Sequence, residues 1–242
     1  SRSRSPVSCS RQPSDTSNQV RILNADLMEQ IREGEEQRQS LQGEVVLRQD
    51  SIFLYCDTAT IRNKTYVKAY GNVIIQQGDS LSVFADTVFF DGERKVADLT
   101  GREVILINQE QQLFTRGMSY DLNTKIANYT SGGLLDNGRS QLSSKRGYYY
   151  ARDSLAFFRD SVVVVDSLFS LRTDSLRFQT ATEVAYFLGP TRIDQEEADI
   201  YCENGFYDIP NQQALFSQNA QYQKGEQRAS DDSMHYDGNK KE

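Results

Sequence analysis

A short motif returns at a nearly constant interval along this chain of 242 residues. In 82–91, SVFADTVFFD, a small residue and an acid interrupt an apolar run, and an aromatic residue follows four positions after the acid. Equivalent charged positions recur every 29 to 31 residues, at Asp26, Asp57, Asp86, Arg116, Lys145, Asp174, Glu203 and Asp232. Such an interval indicates a stack of about eight similar units, each burying its apolar face against the next.

Three further columns keep the same interval. The residue three positions before the charge is apolar in every unit, and the residue directly before it is small in seven of the eight. The residue four positions after the charge is aromatic in six units. Agreement between independent columns shows that the repeat is a property of the whole unit.

Each unit has the pattern of two β-strands with a corner. In 71–92, apolar residues alternate with polar ones, QQGD provides a turn, and the alternation changes phase directly after Asp86. A phase change of one residue is what a β-bulge or corner produces, so the small residue is expected inside the bend and the charge in water. The sequence therefore predicts an all-β fold. The Glu-rich segment 28–39 has weak helical periodicity, and we interpret it as a charged excursion between the first two units.

Composition limits the class of protein. Residues 1–19 are polar and predict a disordered leader, which leaves 20–242 as a single repeat domain. No stretch of 18 apolar residues exists, so no transmembrane segment is predicted. A formal net charge of −7 disfavours nucleic acid as a partner, because such binding needs clustered Lys and Arg.

Catalytic and metal-binding signals are weak. The three cysteines form no CxxC pair, and Cys56 and Cys202 lie five units apart, which disfavours a disulfide between them. The single histidine, His235, stands near Asp231 and Asp232 at the last corner. Acid pairs such as 196–197 and 231–232 could serve glycoside hydrolysis, although corner positions explain the acids equally well. We predict no catalytic residue, no metal site and no cofactor.

The second and third units carry a family resemblance. Residues 67–101 resemble the OstA-like repeat of periplasmic lipopolysaccharide-transport proteins: a glycine, an alternating strand, a polar turn and a second strand ending in an acid. The matching residues are Gly71, Asn72, Val73, Ile75, Leu81, Ala85, Asp86, Phe90 and Asp91. Residues 41–61 match as well, through Gly43, Val45, Leu54 and Asp57. The resemblance covers roughly 20–238 and is loosest around 116 and 145, where the acid becomes basic.

The resemblance implies both a fold and a function. Such proteins look like an elongated jelly roll of two facing antiparallel sheets, a β-taco, which holds acyl chains of lipopolysaccharide in an apolar groove. Their domains stack end to end through open sheet edges and form a bridge across the periplasm. The resemblance therefore implies a non-enzymatic carrier that binds lipopolysaccharide or lipid A, located in the periplasm, with its signal peptide already removed.

The residues themselves suggest what would line such a groove. The candidates are Leu54, Val73, Ile75, Val83, Phe90, Leu113, Tyr120, Leu142, Leu171, Phe178 and Ile200. The same residues could instead pack on one another as a filled core. Arg116 and Lys145 are candidates for contact with lipid phosphate, and the alternative is that they pair with Asp86 and Asp174 on neighbouring units.

Two other functions remain open at this point. A purely structural β-solenoid in envelope assembly would have a filled core and would bind no lipid. A polysaccharide-processing β-helix would need acids that converge in a surface cleft. The last corner, in HYDGNKKE, leaves a final strand with an unpaired edge, where we expect head-to-tail association with another copy or a similar sheet.

Overall fold

A computed structural model describes residues 19–34, 36–195 and 198–239. The predicted leader at 1–19 lies outside this range except for Gln19. The described residues form 18 β-strands. These are β1 Arg21–Asn24, β2 Leu27–Glu33, β3 Glu36–Gln49, β4 Ile52–Arg62, β5 Tyr66–Gln77, β6 Leu81–Asp91, β7 Val96–Asn108, β8 Gln111–Asp121, β9 Ile126–Tyr129, β10 Gly133–Asp136, β11 Gln141–Ser144, β12 Arg146–Tyr150, β13 Leu155–Val165, β14 Ser170–Gln179, β15 Val184–Gln195, β16 Ala198–Asp208, β17 Gln213–Lys224 and β18 Gln227–Asp237.

Antiparallel pairing joins the strands into one continuous sheet. From β3 to β8 and from β13 to β18, each strand pairs with the next along the chain. In the middle, β9 and β10 both pair with β8, and β11 and β12 both pair with β13, so two short strands take the place of one long strand. The predicted all-β repeat fold is confirmed.

A bulge bends each long strand in the middle. In β6, the buried positions are 81, 83 and 85 before Asp86, and 88 and 90 after it, and the pairing with β7 shifts register at the same point. The predicted phase change at the corner is thus confirmed. The bend folds the sheet into two facing halves. Arm 1 contains strand segments such as 45–49, 73–77 and 104–108, and arm 2 contains segments such as 58–62, 87–91 and 117–121.

The corner acid does more than face water. In the next strand, the corner backbone adopts positive φ, for example 75° at Gly71 and 46° at Asn72. Asp57 Oδ2 accepts a hydrogen bond from Asn72 Nδ2 at 2.9 Å, and Asp86 Oδ2 accepts one from the backbone N of Arg102 at 2.8 Å. At these corners the acid therefore holds the backbone of the neighbouring strand in place, which accounts for an acid rather than any other polar residue at Asp57 and Asp86.

Two expectations about charged residues are wrong. Segment 28–39 is neither helical nor an excursion, because it forms β2 and the start of β3, joined at Gly34 with φ of 63°. Neither Arg116 nor Lys145 makes an ion pair within the described part of the chain, since a whole strand separates equivalent corners. Arg146 instead pairs with Asp160, so at this corner the acid stands on the following strand.

Tyr129 accounts for the irregular middle of the sheet. Its ring is buried beside Gly133 and Gly147, where any side chain would collide with it. Its hydroxyl lies 2.8 Å from Ser144 Oγ. The aromatic ring thus occupies space that a regular pair of long strands would fill, and the repeat pattern weakens there as a result.

Candidate functional site: an interior behind a closing seam

The structure brings the predicted groove residues together. All eleven are buried in one apolar core between arm 1 and arm 2, and none has more than 5% of its surface exposed. They come from strands along the whole sheet, from β4 to β16. The sequence columns therefore identify the inner face of both arms correctly.

Near β3 to β6, this interior is filled by its own side chains. Leu54, Ile75 and Phe90 border a cavity of about 10 Å³, roughly the size of one water molecule, near the first strands. At this end of the sheet the packed side chains leave no space for an alkyl chain, and a lipid could be accommodated here only if the two arms moved apart. At the other end, a cavity of about 1040 Å³ lies against β15 to β18, with Ile193, Ile200 and Tyr222 among its lining residues.

The two arms meet at the strand ends farthest from the corners, and we call this contact the closing seam. A polar column at the edge of arm 1 stands opposite the aromatic column of arm 2, 41 to 43 residues further along the chain. The six steps of the seam are Gln49 with Phe90, Gln77 with Tyr120, Asn108 with Tyr149, Asn137 with Phe178, Asp166 with Tyr207, and Gln195 with Tyr236. The seam lies on the side of the interior opposite the corners.

Three steps of the seam join an amide to a tyrosine hydroxyl. Tyr120 donates to Gln77 Oε1 at 3.3 Å, and Gln77 Nε2 donates to the backbone O of Leu122 at 2.9 Å. Asn108 Nδ2 donates to the hydroxyl of Tyr149 at 3.1 Å, and the Gln195 amide donates to that of Tyr236. Burial raises the pKa of Tyr120 and of Tyr149, so both hydroxyls stay protonated at neutral pH.

Where phenylalanine replaces tyrosine, the amide finds another acceptor across the seam. Gln49 Nε2 donates to the backbone O of Gly92 at 2.9 Å, beside an ion pair between Lys95 and Asp50. Asn137 Nδ2 donates to Glu183 Oε1 at 2.9 Å, and Arg139 pairs with the other oxygen of Glu183 at 3.0 Å. At these five steps the contacts across the seam are therefore polar, while the space behind them is apolar.

The other predicted positions lie away from the seam. Arg116 and Lys145 are exposed at the corner, and at ~3.3 Å per residue the corner is about 17 Å along the strand from the seam. His235 is exposed on β18. The acid pair at 196–197 lies outside the described residues. Elsewhere in the described chain, no three His, Cys, Asp or Glu side chains are grouped closely enough to hold a metal ion.

The two cysteines within the described chain are free thiols. Cys56 and Cys202 are both buried at corners, in the small-residue column. Burial raises the pKa of Cys56 to about 12 and that of Cys202 to about 11. They pack as small apolar groups and are poor nucleophiles.

Sequence reasoning missed the polar half of the seam. It identified the aromatic column but treated those rings only as fillers of the dry face. The signal was present: Gln49, Gln77, Asn108 and Asn137 are 28 to 31 residues apart, and Gln195 follows Asn137 by 58 residues, or two units. A column of amides in phase with a column of buried tyrosines indicates hydrogen bonds across the interior.

The fold and the seam define a class: an elongated jelly roll with an apolar interior between two arms. The model of the OstA-like protein family matches residues 17–174, more than half of the chain. The chain therefore belongs to the OstA-like family, as the resemblance predicted.

Other comparisons add little. No curated protein matches the sequence. One similar solved structure is LptH from Pseudomonas aeruginosa, described as the LptA-homologous periplasmic component of the conserved lipopolysaccharide transport device. It shares 13% identity, with a TM-score of 0.20, and the match covers 72% of this chain and 84% of that chain. No helix with the length and apolar character needed to cross a membrane occurs in the described residues.

Proposed function

We propose that this protein is a non-enzymatic carrier that holds the acyl chains of lipopolysaccharide, or of its lipid A part, between its two arms. Residues 20–242 act as one OstA-like domain, and the protein works in the periplasm as part of a bridge. The observation that carries the proposal is the continuous apolar interior of an OstA-like chain, bordered on one side by a polar seam. The eleven buried groove residues would contact the acyl chains.

The energetics favour reversible opening of the seam. Each methylene that leaves water contributes about 0.8 kcal/mol, so one chain of twelve carbons contributes roughly 9 kcal/mol. Each hydrogen bond of the seam contributes about 0.5–1.5 kcal/mol, and water can replace it when the edges part. Several acyl chains would therefore outweigh the few hydrogen bonds that must break to admit them.

Site-specific photocrosslinking tests the proposal. A photoreactive residue at Val83, Leu113 or Leu171 would face the interior, and one at the next position, 84, 114 or 172, would face outwards on the same strand. In cells that make lipopolysaccharide, we expect lipid adducts from the three inner positions and none from the three outer controls. Absence of adducts from all three inner positions would refute lipid binding.

The filled interior also favours a second candidate, a structural β-solenoid that scaffolds envelope assembly. Its side chains already pack on one another, and the seam already closes the side of the interior opposite the corners. The same experiment separates the two functions, because a scaffold yields no lipid adduct from the interior. A polysaccharide-processing activity gains no support from Asp231 and Asp232, since both are exposed on β18.

Arg116 and Lys145 are proposed contacts for lipid phosphate. Both are exposed cations without an ion pair to other described residues. Replacing both with alanine should abolish any preference for phosphorylated over dephosphorylated lipid A in a binding titration. Lys68→Ala, which removes an exposed cation from arm 2, is the matched control. An unchanged preference in the double variant would exclude these two residues.

The two ends of the sheet are proposed sites of end-to-end association with similar domains. Among the described strands, β18 pairs only with β17, so one edge of it is free. At the other end, Leu23, Leu27, Met28 and Ile31 are between 43% and 55% exposed. Light scattering should show mass rising with concentration, and Leu27→Lys with Met28→Lys should abolish the rise. A mass that stays monomeric at every concentration would contradict association.

A further inference from the structure

The step of the seam between Asp166 and Tyr207 differs from the other five. A carboxylate replaces the amide, and its oxygens accept hydrogen bonds from the backbone N of Leu168 at 3.0 Å and from Ser140 Oγ at 2.6 Å, both in arm 1. Asp166 therefore holds its own turn. The contact across the seam comes from Phe169, whose ring centre lies 4.4 Å from that of Tyr207 at a tilt of 38°.

Tyr207 has a buried hydroxyl that lacks a hydrogen-bond partner among the described residues. The hydroxyls of Tyr120, Tyr149 and Tyr236, at equivalent positions of the repeat, all have one. Burial raises the pKa of Tyr207 to about 12, so the group keeps its proton. A buried donor without an acceptor is unfavourable, and an acceptor supplied by a bound molecule would account for it.

The turn that contains Phe169, which contacts Tyr207, is also unlike the other turns of arm 1. The turns at 78–80 and 109–110 contain only polar residues and glycine. The turn at 166–169 has the sequence DSLF, and Leu168 is 42% exposed, with Val165 beside it 52% exposed. An apolar group arriving from solvent would find its first contacts here.

We propose that the step between Phe169 and Tyr207 is the portal through which an acyl chain passes into the interior, and that the Tyr207 hydroxyl donates to the carbonyl of the ester or amide joining that chain to its polar head. This proposal rests on the acyl-binding function above and adds its place of passage and its polar contact. A neutral carbonyl suits the position, because an ionised phosphate would lose its hydration beneath the Phe169 ring. The exposed Leu168 side chain contacts the chain outside the portal.

A matched pair of lipids tests the portal. One carries a myristoyl ester on lysophosphatidylcholine, and the other carries an alkyl ether of the same length without the carbonyl. Calorimetric titrations below the critical micelle concentration should show wild-type protein binding the ester about 3–10-fold more tightly than the ether. Tyr207→Phe keeps the ring and removes the donor, so it should bind both lipids equally. Tyr149→Phe is the control, because it removes a satisfied hydroxyl elsewhere in the seam, and it should keep the preference.

Thermal unfolding of the same variants gives a readout that needs no ligand. Tyr207→Phe should unfold at the wild-type temperature or above it, whereas Tyr149→Phe should unfold at a lower temperature because it leaves Asn108 without a partner. Equal binding of ester and ether by the wild type, or a Tyr207→Phe variant that keeps the preference, would overturn the portal alone. Failure of the wild type to bind either lipid would overturn the acyl-binding function and the portal with it.

Discussion

Replacing Gln77 with alanine removes one complete step of the closing seam. The change deletes the hydrogen bond from Gln77 Nε2 to the backbone O of Leu122, at 2.9 Å, and the one from Tyr120 to Gln77 Oε1, at 3.3 Å. Tyr120 is fully buried, so its hydroxyl would be left without an acceptor, which costs about 1–3 kcal/mol. Loss of the bond to Leu122 adds about 1 kcal/mol. The expected destabilisation is therefore about 2–4 kcal/mol.

Urea unfolding followed by circular dichroism measures this free energy. Gln76→Ala is the matched control, because Gln76 is the neighbouring, exposed residue of the same strand, and it should change stability by less than about 0.5 kcal/mol. In the double variant with Tyr120→Phe, the orphaned hydroxyl is gone, so the two changes should cost about 1–2 kcal/mol less than their sum. If Gln77→Ala behaves like Gln76→Ala, or if the two changes are additive, the seam does not hold the arms together.

Three further predictions concern the corners and the thiols. Gly71→Ala should destabilise the protein by more than Gly78→Ala does. Both glycines have positive φ, but only at Gly71 would a methyl group collide with a neighbour, the Asp57 carboxylate. Equal losses of stability in urea unfolding would contradict this packing. The Arg146 guanidinium hydrogen-bonds Asp160 and holds the pKa of that carboxyl below its ordinary 3.8. The contribution of this pair to protein stability is therefore complete above pH 3.8, and it is lost as the pH falls through the lower pKa of Asp160 in the folded protein. Asp160→Asn should remove this acid-induced drop in unfolding midpoint while Asp98→Asn retains it. Cys56 and Cys202 should resist iodoacetamide at pH 8 in the folded protein and react after denaturation, and rapid labelling of either thiol in the native state would show that its corner is open.

Much of the fold follows from the spacing of single residues. The 29-residue interval and the phase change at Asp86 are enough to predict stacked β units bent at a corner, because side chains alternate with a period of two and a bulge shifts that alternation by one. The apolar columns likewise predict which residues point inwards. These features are local in sequence, which is why one chain reveals them.

The features that sequence reasoning missed depend on contacts across the fold. The seam pairs Gln77 with Tyr120, 43 residues away, and this distance depends on how far one arm is staggered against the other by the twist of the sheet. Segment 28–39 showed weak helical periodicity because its first strand is exposed and rich in charge. An exposed strand buries neither face, so its sequence need not alternate apolar and polar residues. The charge at the corner was expected to pair between units, but the intervening strand separates those positions.

The central claim is that the two arms enclose an acyl-binding interior behind a seam that opens. Two variants, Asp79→Cys at the end of arm 1 and Thr124→Cys at the facing end of arm 2, are combined and spin-labelled. Pulsed electron–electron double resonance then measures the distance between the labels, and thus the width of the seam. Cys9 is replaced by serine, and the two buried thiols are left in place. We expect one short distance in the free protein and a longer one after lipid A is added. A distance that stays unchanged while lipid A is bound would contradict the claim.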